Sequence, residues 1–191
     1  MKKTFAPILL LLCSFSSFSQ EGVRVYSWEE VQGARADTIY GLSLEKMKLE
    51  ELPAELAKFT QLRVLRIGKN KLTSLPQFII HFTELEELDA GKNQFDAFPL
   101  PLCSMPSIHR LSLNRNAFER IPDCIENIRE LRYLDLYDTP VSGVPESLVR
   151  LKNLQKIDFT GIRFSIRFQE NWKGKLPNVE LVFDPPCDCM N

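Results

Sequence analysis

An apolar pattern that returns every 23 residues constrains the fold of this chain more than any other feature of its sequence. Six units start 23 residues apart, and a partial seventh starts 22 residues after the sixth: Ile39, Leu62, Leu85, Ile108, Leu131, Leu154 and Leu176. Each complete unit has further apolar residues three, five and ten positions after its first. One such unit cannot bury its apolar face alone, whereas stacked units cover one another. The period therefore predicts a stack of similar units.

Each unit contains two patterns that predict different local structures. Around the third and fifth positions, apolar residues alternate with exposed types, which predicts a short β-strand. Later in the unit, apolar residues spaced about three apart follow a proline, which favours a helical or 3₁₀ turn. The prolines in register are Pro53, Pro76, Pro99, Pro122 and Pro145. The sequence therefore predicts an α/β repeat with one strand and one short helix or turn in each unit.

An asparagine stands eight positions into three middle units, at Asn70, Asn93 and Asn116. A short amide side chain there can satisfy backbone groups that a turn leaves unpaired. With the apolar and Leu-Pro positions, these residues resemble the leucine-rich repeat family in its 23-residue form, over residues 39–183. The resemblance implies a curved solenoid with parallel strands on the concave face and short helices or turns on the convex face. It also implies a binding module with no catalytic residues in the repeat.

The first 19 residues have the three parts of a secretory signal peptide. Two lysines precede an apolar run from Ala6 to Leu12, and two serines flank Phe18 just before Gln20. The run is shorter than the roughly 20 apolar residues that a membrane span needs. We therefore expect export to the periplasm, the cell surface or the medium, and no membrane span. A buried N-terminal strand or helix is the alternative.

Residues 20–38 are expected to cap the first repeat, since the terminal units of a solenoid expose an apolar face. Ser27 and Glu30 form a Ser-x-x-Glu capping box, which predicts a short helix near residues 28–35. Trp28 is expected to pack on the first unit. An irregular extended arm is the alternative for this segment.

The repeat domain is expected to cover residues 39–184 and to end in a modified unit. The unit that starts at Leu154 lacks the proline and carries Phe168 and Trp172 instead. Apolar residues over 176–183 predict a final edge strand. The two prolines that follow stop further strand pairing, and residues 185–191 form a tail.

The five cysteines leave several interpretations open. Cys13 follows three leucines, as in a lipoprotein signal, although such signals usually have a small residue before the cysteine. The other four cysteines permit three disulfide pairings in an exported chain. Cys103 and Cys124 lie in adjacent units but at different positions within them, so their side chains need not meet. Cys187 and Cys189 lie in the tail and lack the further ligands that a metal site needs.

The alternation in each strand predicts which side chains project from the concave face. Residues two, four and six positions into each unit should point outward, with neighbouring strands about 4.8 Å apart. The residues expected to contact a partner are Arg66, Asp89, Arg110, Tyr133, Asp135, Tyr137 and Asp158. Arginine and tyrosine often dominate the binding energy of interfaces, so the predicted patch centres on Arg110, Tyr133 and Tyr137. A solvated sheet whose charges pair with each other is the alternative.

Two charge patterns accompany this patch. Asp135 and Asp158 are predicted neighbours of like charge, which would suit a cation or a basic partner. A basic residue stands seven positions into four successive units, at Lys46, Lys69, Lys92 and Arg115. This column would suit an acidic partner, a phosphate or an anionic glycan. Long side chains that simply extend into water are the alternative.

Composition narrows the class of function. The chain has 24 basic and 25 acidic residues, whereas a nucleic-acid-binding domain has a clear positive excess. Neither His81 nor His109 has an evident serine or cysteine partner, and no phosphate-binding loop is present. We expect a monomeric, non-catalytic module that needs no cofactor and binds a protein partner. The alternatives are an intracellular signalling scaffold, a glycan-binding or adhesive surface protein, and an enzyme with a carboxylate pair among its concave aspartates.

Overall fold

The computed structural model describes residues 22–185, which build one sheet of eight parallel strands in sequence order. The strands are β1 Tyr26–Ser27, β2 Gly41–Ser43, β3 Val64–Arg66, β4 Glu87–Asp89, β5 Arg110–Ser112, β6 Tyr133–Asp135, β7 Lys156–Asp158 and β8 Glu180–Val182. From β2 to β7 the register pairs residues 23 apart, as in Leu65 opposite Leu88. The predicted solenoid is confirmed, because each repeat contributes one strand beside the strand of the preceding repeat.

Short helices occupy the opposite side of the solenoid from the sheet. The 3₁₀ helices are Ala36–Thr38, Ala54–Lys58, Gln77–His81, Leu100–Ser104, Asp123–Asn127 and Glu146–Arg150. The last five of them begin directly after the five prolines in register. Proline suits this place because its fixed φ matches the entry to the helix and its missing N–H would be unpaired there.

The core lies between the sheet and the short helices. Leu65 and Ile67, which point inward from β3 and the residue after it, are wholly buried, and their equivalents in the other complete units are buried as well. Phe95 and Phe118 fill the space where the chain turns away from the sheet, and both are wholly buried. Burying side chains of this size contributes about 1.5–3 kcal/mol each. The core is therefore continuous along the solenoid, with each unit covering its neighbour.

The three repeated asparagines tie successive units together at this turn. Asn93 Nδ2 donates to the carbonyl oxygens of Ile67 at 3.1 Å and Ala90 at 3.0 Å. Its Oδ1 accepts from the N–H of Leu72 at 3.1 Å. Asn70 and Asn116 make the equivalent bonds in their own units. Each amide therefore satisfies backbone groups of its own unit and of the preceding unit, as the sequence predicted.

The residue just before each asparagine has a left-handed backbone. This position is Lys69 (φ 59°) in one unit and Lys92 (φ 56°) in the next, and its equivalents in four further units also have positive φ. The N–H of Lys69 nevertheless donates to the carbonyl of Gly91 in the next unit at 2.9 Å. A left-handed conformation costs a non-glycine residue about 1–2 kcal/mol. The inward turn is therefore made at a locally strained position in five units, whereas Gly161 takes this conformation without strain in the sixth.

The N-terminal segment confirms the capping box but not the helix expected near residues 28–35. Ser27 N–H donates to Glu30 at 2.6 Å and Glu30 N–H donates to the Ser27 hydroxyl at 3.3 Å. The backbone hydrogen bond from Ser27 lowers the pKa of Glu30. Residues 28–33 nevertheless form turns, because Ser27 belongs to β1 and Gly33 has a φ of 81°. The backbone bonds in this segment run from Gln32 N–H to Glu29 and from Ala34 N–H to Val31, so they form separate turns rather than a continuous helix.

Trp28 packs on the first repeat as expected, since its ring meets the ring of Phe59 edge-on, with centroids 6.2 Å apart. At the other end, the unit without a proline has an α-helix, α1 (Ile166–Lys175), in place of the 3₁₀ helix. Phe168 and Trp172 of α1 pack against the core. The predicted signal peptide, Cys13 and the tail beyond residue 185 lie outside the described residues.

Cys103 and Cys124 form a disulfide, which corrects the expectation that their side chains need not meet. The two residues stand at different positions of neighbouring 3₁₀ helices, and their Cα atoms are 5.5 Å apart. A 3₁₀ helix has about three residues per turn, so a shift of two positions turns a side chain toward the other flank. The shift therefore lets one cysteine face the next unit while the other faces the preceding unit.

We expect Asn93→Ala to lower the free energy of unfolding by about 1–3 kcal/mol, since it leaves buried backbone groups of two units without partners. Urea denaturation followed by circular dichroism measures this loss. Gln94→Ala, at the exposed neighbouring position, should stay within about 0.5 kcal/mol of the parent. Equal denaturation midpoints for Asn93→Ala and the parent would contradict the structural role of the amide.

The disulfide is expected to stabilise the folded chain by roughly 3 kcal/mol, because it closes a loop of modest length in the unfolded state. Reductant should therefore lower the urea midpoint of the parent. The double variant Cys103→Ser, Cys124→Ser should unfold at the midpoint of the reduced parent and should not respond to reductant. A reductant effect of the same size on both proteins would assign the stabilisation to other cysteines.

Candidate functional site

A shallow cavity of about 340 Å³ lies on the concave face and spans β3 to β7. Six of the seven residues predicted to contact a partner line it: Arg66, Asp89, Arg110, Tyr133, Asp135 and Asp158. Val64 is buried although it was expected to project into solvent, and it lies in the lining beside these charged groups. The cavity therefore combines an apolar base with charged and aromatic walls, as ligand sites commonly do.

Arg110 and Tyr133 form the centre of this cavity. The Arg110 guanidinium carbon lies 4.0 Å from the centroid of the Tyr133 ring, a cation–π contact. Glu87 Oε1 lies 3.5 Å from Arg110 Nε, and the Tyr133 hydroxyl donates to Gln155 Oε1 at 2.9 Å. These four side chains come from four successive units. They form a row across the sheet in which each side chain contacts the next.

Tyr137 lies beside the cavity rather than in its lining, at the edge where the strands end. The Arg115 guanidinium carbon is 5.2 Å from the centroid of its ring, and Arg115 Nη2 donates to its hydroxyl at 3.4 Å. Arg115 Nε also donates to Asp138 Oδ2 at 3.1 Å. These contacts, the tyrosine hydroxyl first, raise the pKa of Arg115. The structure thus provides a second arginine–tyrosine pair beside the first.

The aspartates of the concave face have a structural role that the sequence did not reveal. Asp135 Oδ1 accepts a hydrogen bond at 3.0 Å from the N–H of Tyr137, two residues later at the end of the same strand. Its Oδ2 accepts from Ser112 Oγ at 2.8 Å and Asn114 Nδ2 at 2.6 Å. Asp158 accepts at 2.8 Å from the N–H two residues later. These carboxylates therefore fix the turns that follow the strands, while remaining half-exposed.

The charged side chains on neighbouring strands of the concave face pair only in part. Asp89 and Arg66 are opposite each other in the register, but Arg66 belongs to none of the ion pairs among residues 22–185. Asp135 and Asp158 are also opposite each other. Lys156 lies on the same strand as Asp158, and its Nζ donates to Glu180 at 2.7 Å. That hydrogen bond is the main cause of the raised pKa of Lys156.

The sequence analysis did not identify two side chains that contact Asp135. Ser112 and Asn114 occupy positions in their unit that are equivalent to those of the predicted concave residues. This equivalence was the signal in the sequence that could have identified them. Their position in a column does not specify that both side chains turn toward Asp135. In the described part of the chain, no group of three or more histidine, cysteine, aspartate or glutamate side chains is arranged to hold a metal ion.

The two histidines lie apart from this cavity. His81 ends a convex 3₁₀ helix, and His109 immediately precedes β5. Neither lines the cavity. Separately, no helix within residues 22–185 combines the length and the apolar character that crossing a membrane requires.

Parallel strands on one face, 3₁₀ helices on the other and a turn supported by asparagine define a leucine-rich repeat solenoid. A leucine-rich repeat protein from Leptospira interrogans superimposes on 76% of the chain with a TM-score of 0.65 and 26% identity. An internalin, inlF, from Listeria monocytogenes matches 77% with a TM-score of 0.62 and 19% identity. The functional domain of InlJ from Listeria monocytogenes, which includes a cysteine ladder, matches 75% with a TM-score of 0.57 and 18% identity.

These similar structures are leucine-rich repeat proteins, so the comparisons support the solenoid fold of this chain. The chain covers less than half of each of them, namely 36%, 43% and 29% of their lengths. No protein-family model and no curated protein matches the chain.

We expect Asp135→Ala to lower the free energy of unfolding by about 2 kcal/mol, because three hydrogen bonds to a charged group are lost. Asp158→Ala loses one such bond to its own strand end, so its effect should be smaller, about 0.5–1 kcal/mol. Parallel urea denaturation curves measure both. Equal losses for the two variants would show that the bonds from Ser112 and Asn114 do not contribute.

Proposed function

We propose that this chain is an exported, non-catalytic and monomeric binding module that holds a protein partner on its concave face. The observation that carries the proposal is the central stack of Arg110 on Tyr133. Tyrosine and arginine provide large contact areas with polar groups at their ends, and they dominate many interfaces. In this chain both lie in a concave surface with an apolar base, where a partner can bury them.

Preorganisation supports a binding role for this stack. Arg110 is held by Glu87 and by the ring of Tyr133, and Tyr133 is held in turn by Gln155. Ordering a flexible side chain at an interface costs about 0.5–1.5 kcal/mol. Because these side chains are already oriented, a partner meets less of that cost on binding.

The charged groups around the stack would determine which partner fits. Arg66 is exposed on one side of the cavity, and the half-exposed carboxylates of Asp89, Asp135 and Asp158 lie along the neighbouring strands. Such an arrangement selects a partner surface with complementary charges more than it adds affinity. Tyr137 extends the patch beyond the cavity, so the proposed interface runs from Arg66 to the edge where the strands end.

Export is supported by the disulfide as well as by the leader pattern. Disulfides persist in oxidising compartments and are rare in the cytosol, where thiols are kept reduced. The Cys103–Cys124 bond therefore favours an exported protein over an intracellular signalling scaffold.

The concave face can be tested with the chain from Gln20 onward as bait in affinity capture from cell-envelope extracts, with binding to the captured protein then measured in solution. We expect Arg110→Ala, Tyr133→Ala, Tyr137→Ala to weaken this binding by at least about tenfold, since each residue is a predicted anchor. The control variant Tyr40→Ala, Arg129→Ala removes exposed side chains outside the cavity and should bind as the parent does.

Equal capture by the triple variant and the parent would contradict binding through the concave patch. Melting curves of the parent, the triple variant and the control variant distinguish a loss of binding from a loss of folded structure. Substrate turnover by the captured complex that disappears in Asp135→Asn would instead favour an enzyme.

A further inference from the structure

We propose that one edge of the solenoid is a second binding site, for a linear acidic polysaccharide whose carboxylate or sulfate groups recur along the chain. The site, called the basic edge below, lies where strands β2 to β5 end. It consists of Lys46, Lys48, Lys69, Lys71, Lys92 and Arg115. The proposal goes beyond the concave-face function because it involves a different surface and a different class of ligand.

The basic edge carries more positive charge than its neighbours neutralise. Three of its cations are paired, Lys69 with Glu45 at 2.9 Å, Lys71 with Glu50 at 3.6 Å and Arg115 with Asp138 at 3.1 Å. The other three cations are exposed, and within residues 22–185 they take part in no ion pair: Lys46, Lys48 and Lys92. The whole chain has a net charge of −1, so this positive charge is concentrated locally.

The acidic residues that follow these turns along the chain do not neutralise the excess positive charge of the basic edge. Asp96 and Glu119 follow the turns of the third and fourth units, but neither forms an ion pair with the basic edge. Like charges on neighbouring strands repel one another unless an opposite charge lies between them. A row of exposed lysines on successive units therefore favours an anionic ligand that spans several units.

The backbone at the basic edge gives an independent reason to expect a function. Six non-glycine residues in the described part of the chain have positive φ, between 50° and 61°. Five of them are the basic-edge residues other than Lys71, and the sixth, Asp138, is the ion-pair partner of Arg115. Glycine adopts this conformation without strain, and asparagine tolerates it better than most residues. Lysine is thus present where the backbone favours other residues, and strain of this kind is common at binding sites.

The geometry of the basic edge matches a repeating polymer. Strands in the sheet lie about 4.8 Å apart, so Lys46, Lys69, Lys92 and Arg115 follow one another in a row. The unpaired Lys46 and Lys92 are two units apart, roughly 10 Å at this spacing, a distance comparable to one disaccharide of an extended polysaccharide. The N–H of Lys92 donates to the next unit at 2.7 Å, and the other column members make equivalent bonds. The attachment points of the cations are therefore fixed relative to one another.

Other polyanions fit this surface less well. Proteins that bind single-stranded nucleic acids provide aromatic side chains on which bases stack. The aromatic ring that borders the basic edge, Tyr137, is already covered by Arg115. An acidic protein would need an apolar anchor for stable binding, and the row itself is built of lysines and one arginine.

The test measures binding of the chain from Gln20 onward to dextran sulfate and to polygalacturonate, with neutral dextran as the blank. The variant Lys46→Gly, Lys48→Gly, Lys92→Gly removes the three unpaired cations and puts glycine at left-handed positions, so it should fold and melt at or above the parent temperature. We expect its affinity for both acidic polymers to fall by about tenfold to a hundredfold, and to depend less on salt.

The matched control is Lys58→Gln, Lys152→Gln, Arg167→Gln, which removes the same charge from exposed positions outside the basic edge. It should bind the acidic polymers within about twofold of the parent. The concave variant Arg110→Ala, Tyr133→Ala, which leaves the contact between Arg115 and Tyr137 intact, should also keep polymer binding. This result would separate the proposal from the concave-face function.

Three results would overturn the proposal. One is unchanged polymer binding by the glycine variant, and another is an equal loss in the glycine variant and in the matched control, which would indicate attraction by net charge alone. The third is tighter binding to a single-stranded oligonucleotide of equal charge, which would assign the basic edge to nucleic acid instead.

Discussion

The hydrogen bonds of three stacked asparagine amides determine how the chain leaves the concave sheet. Each amide binds carbonyl groups of its own unit and of the preceding unit, as Asn93 does with Ala90 and Ile67. The spacing of the units is therefore fixed by buried side chains as well as by the strands. Residues at equivalent positions consequently lie side by side, and a column in the repeat alignment becomes a column on the surface.

This constraint explains which features could be predicted from the sequence. Strands, prolines before the 3₁₀ helices and buried asparagines all follow from position within the repeat, so they were predicted correctly. The prediction of an N-terminal helix was wrong. Gly33 and the short strand β1 lie outside the repeat, so the repeat pattern does not specify the structure there. The Cys103–Cys124 bond was missed because it depends on how side chains turn around two 3₁₀ helices. Position within the repeat also did not reveal that the Asp135 carboxylate accepts hydrogen bonds from neighbouring side chains.

The concave patch and the basic edge meet at one residue pair. Arg115 belongs to the basic edge, and its guanidinium covers the ring of Tyr137, which extends the concave patch. Ligands on the two surfaces would therefore compete for the same guanidinium or share it. A protein partner that draws Arg115 toward the sheet would shorten the row of cations by one unit. The two proposed sites are thus separate over most of their length and physically linked at this pair.

The disulfide also restrains the solenoid on its convex face. It joins two units across the convex face, and the same two units pair through β4 and β5 on the concave face. Their separation is fixed on both sides, whereas the following convex helices are joined by packing and surface ion pairs such as Arg150 with Glu126. The disulfide therefore limits how far these two units can separate on the convex face. Arg110 belongs to one of these two units, so the centre of the proposed concave patch lies on the covalently cross-linked part of the solenoid.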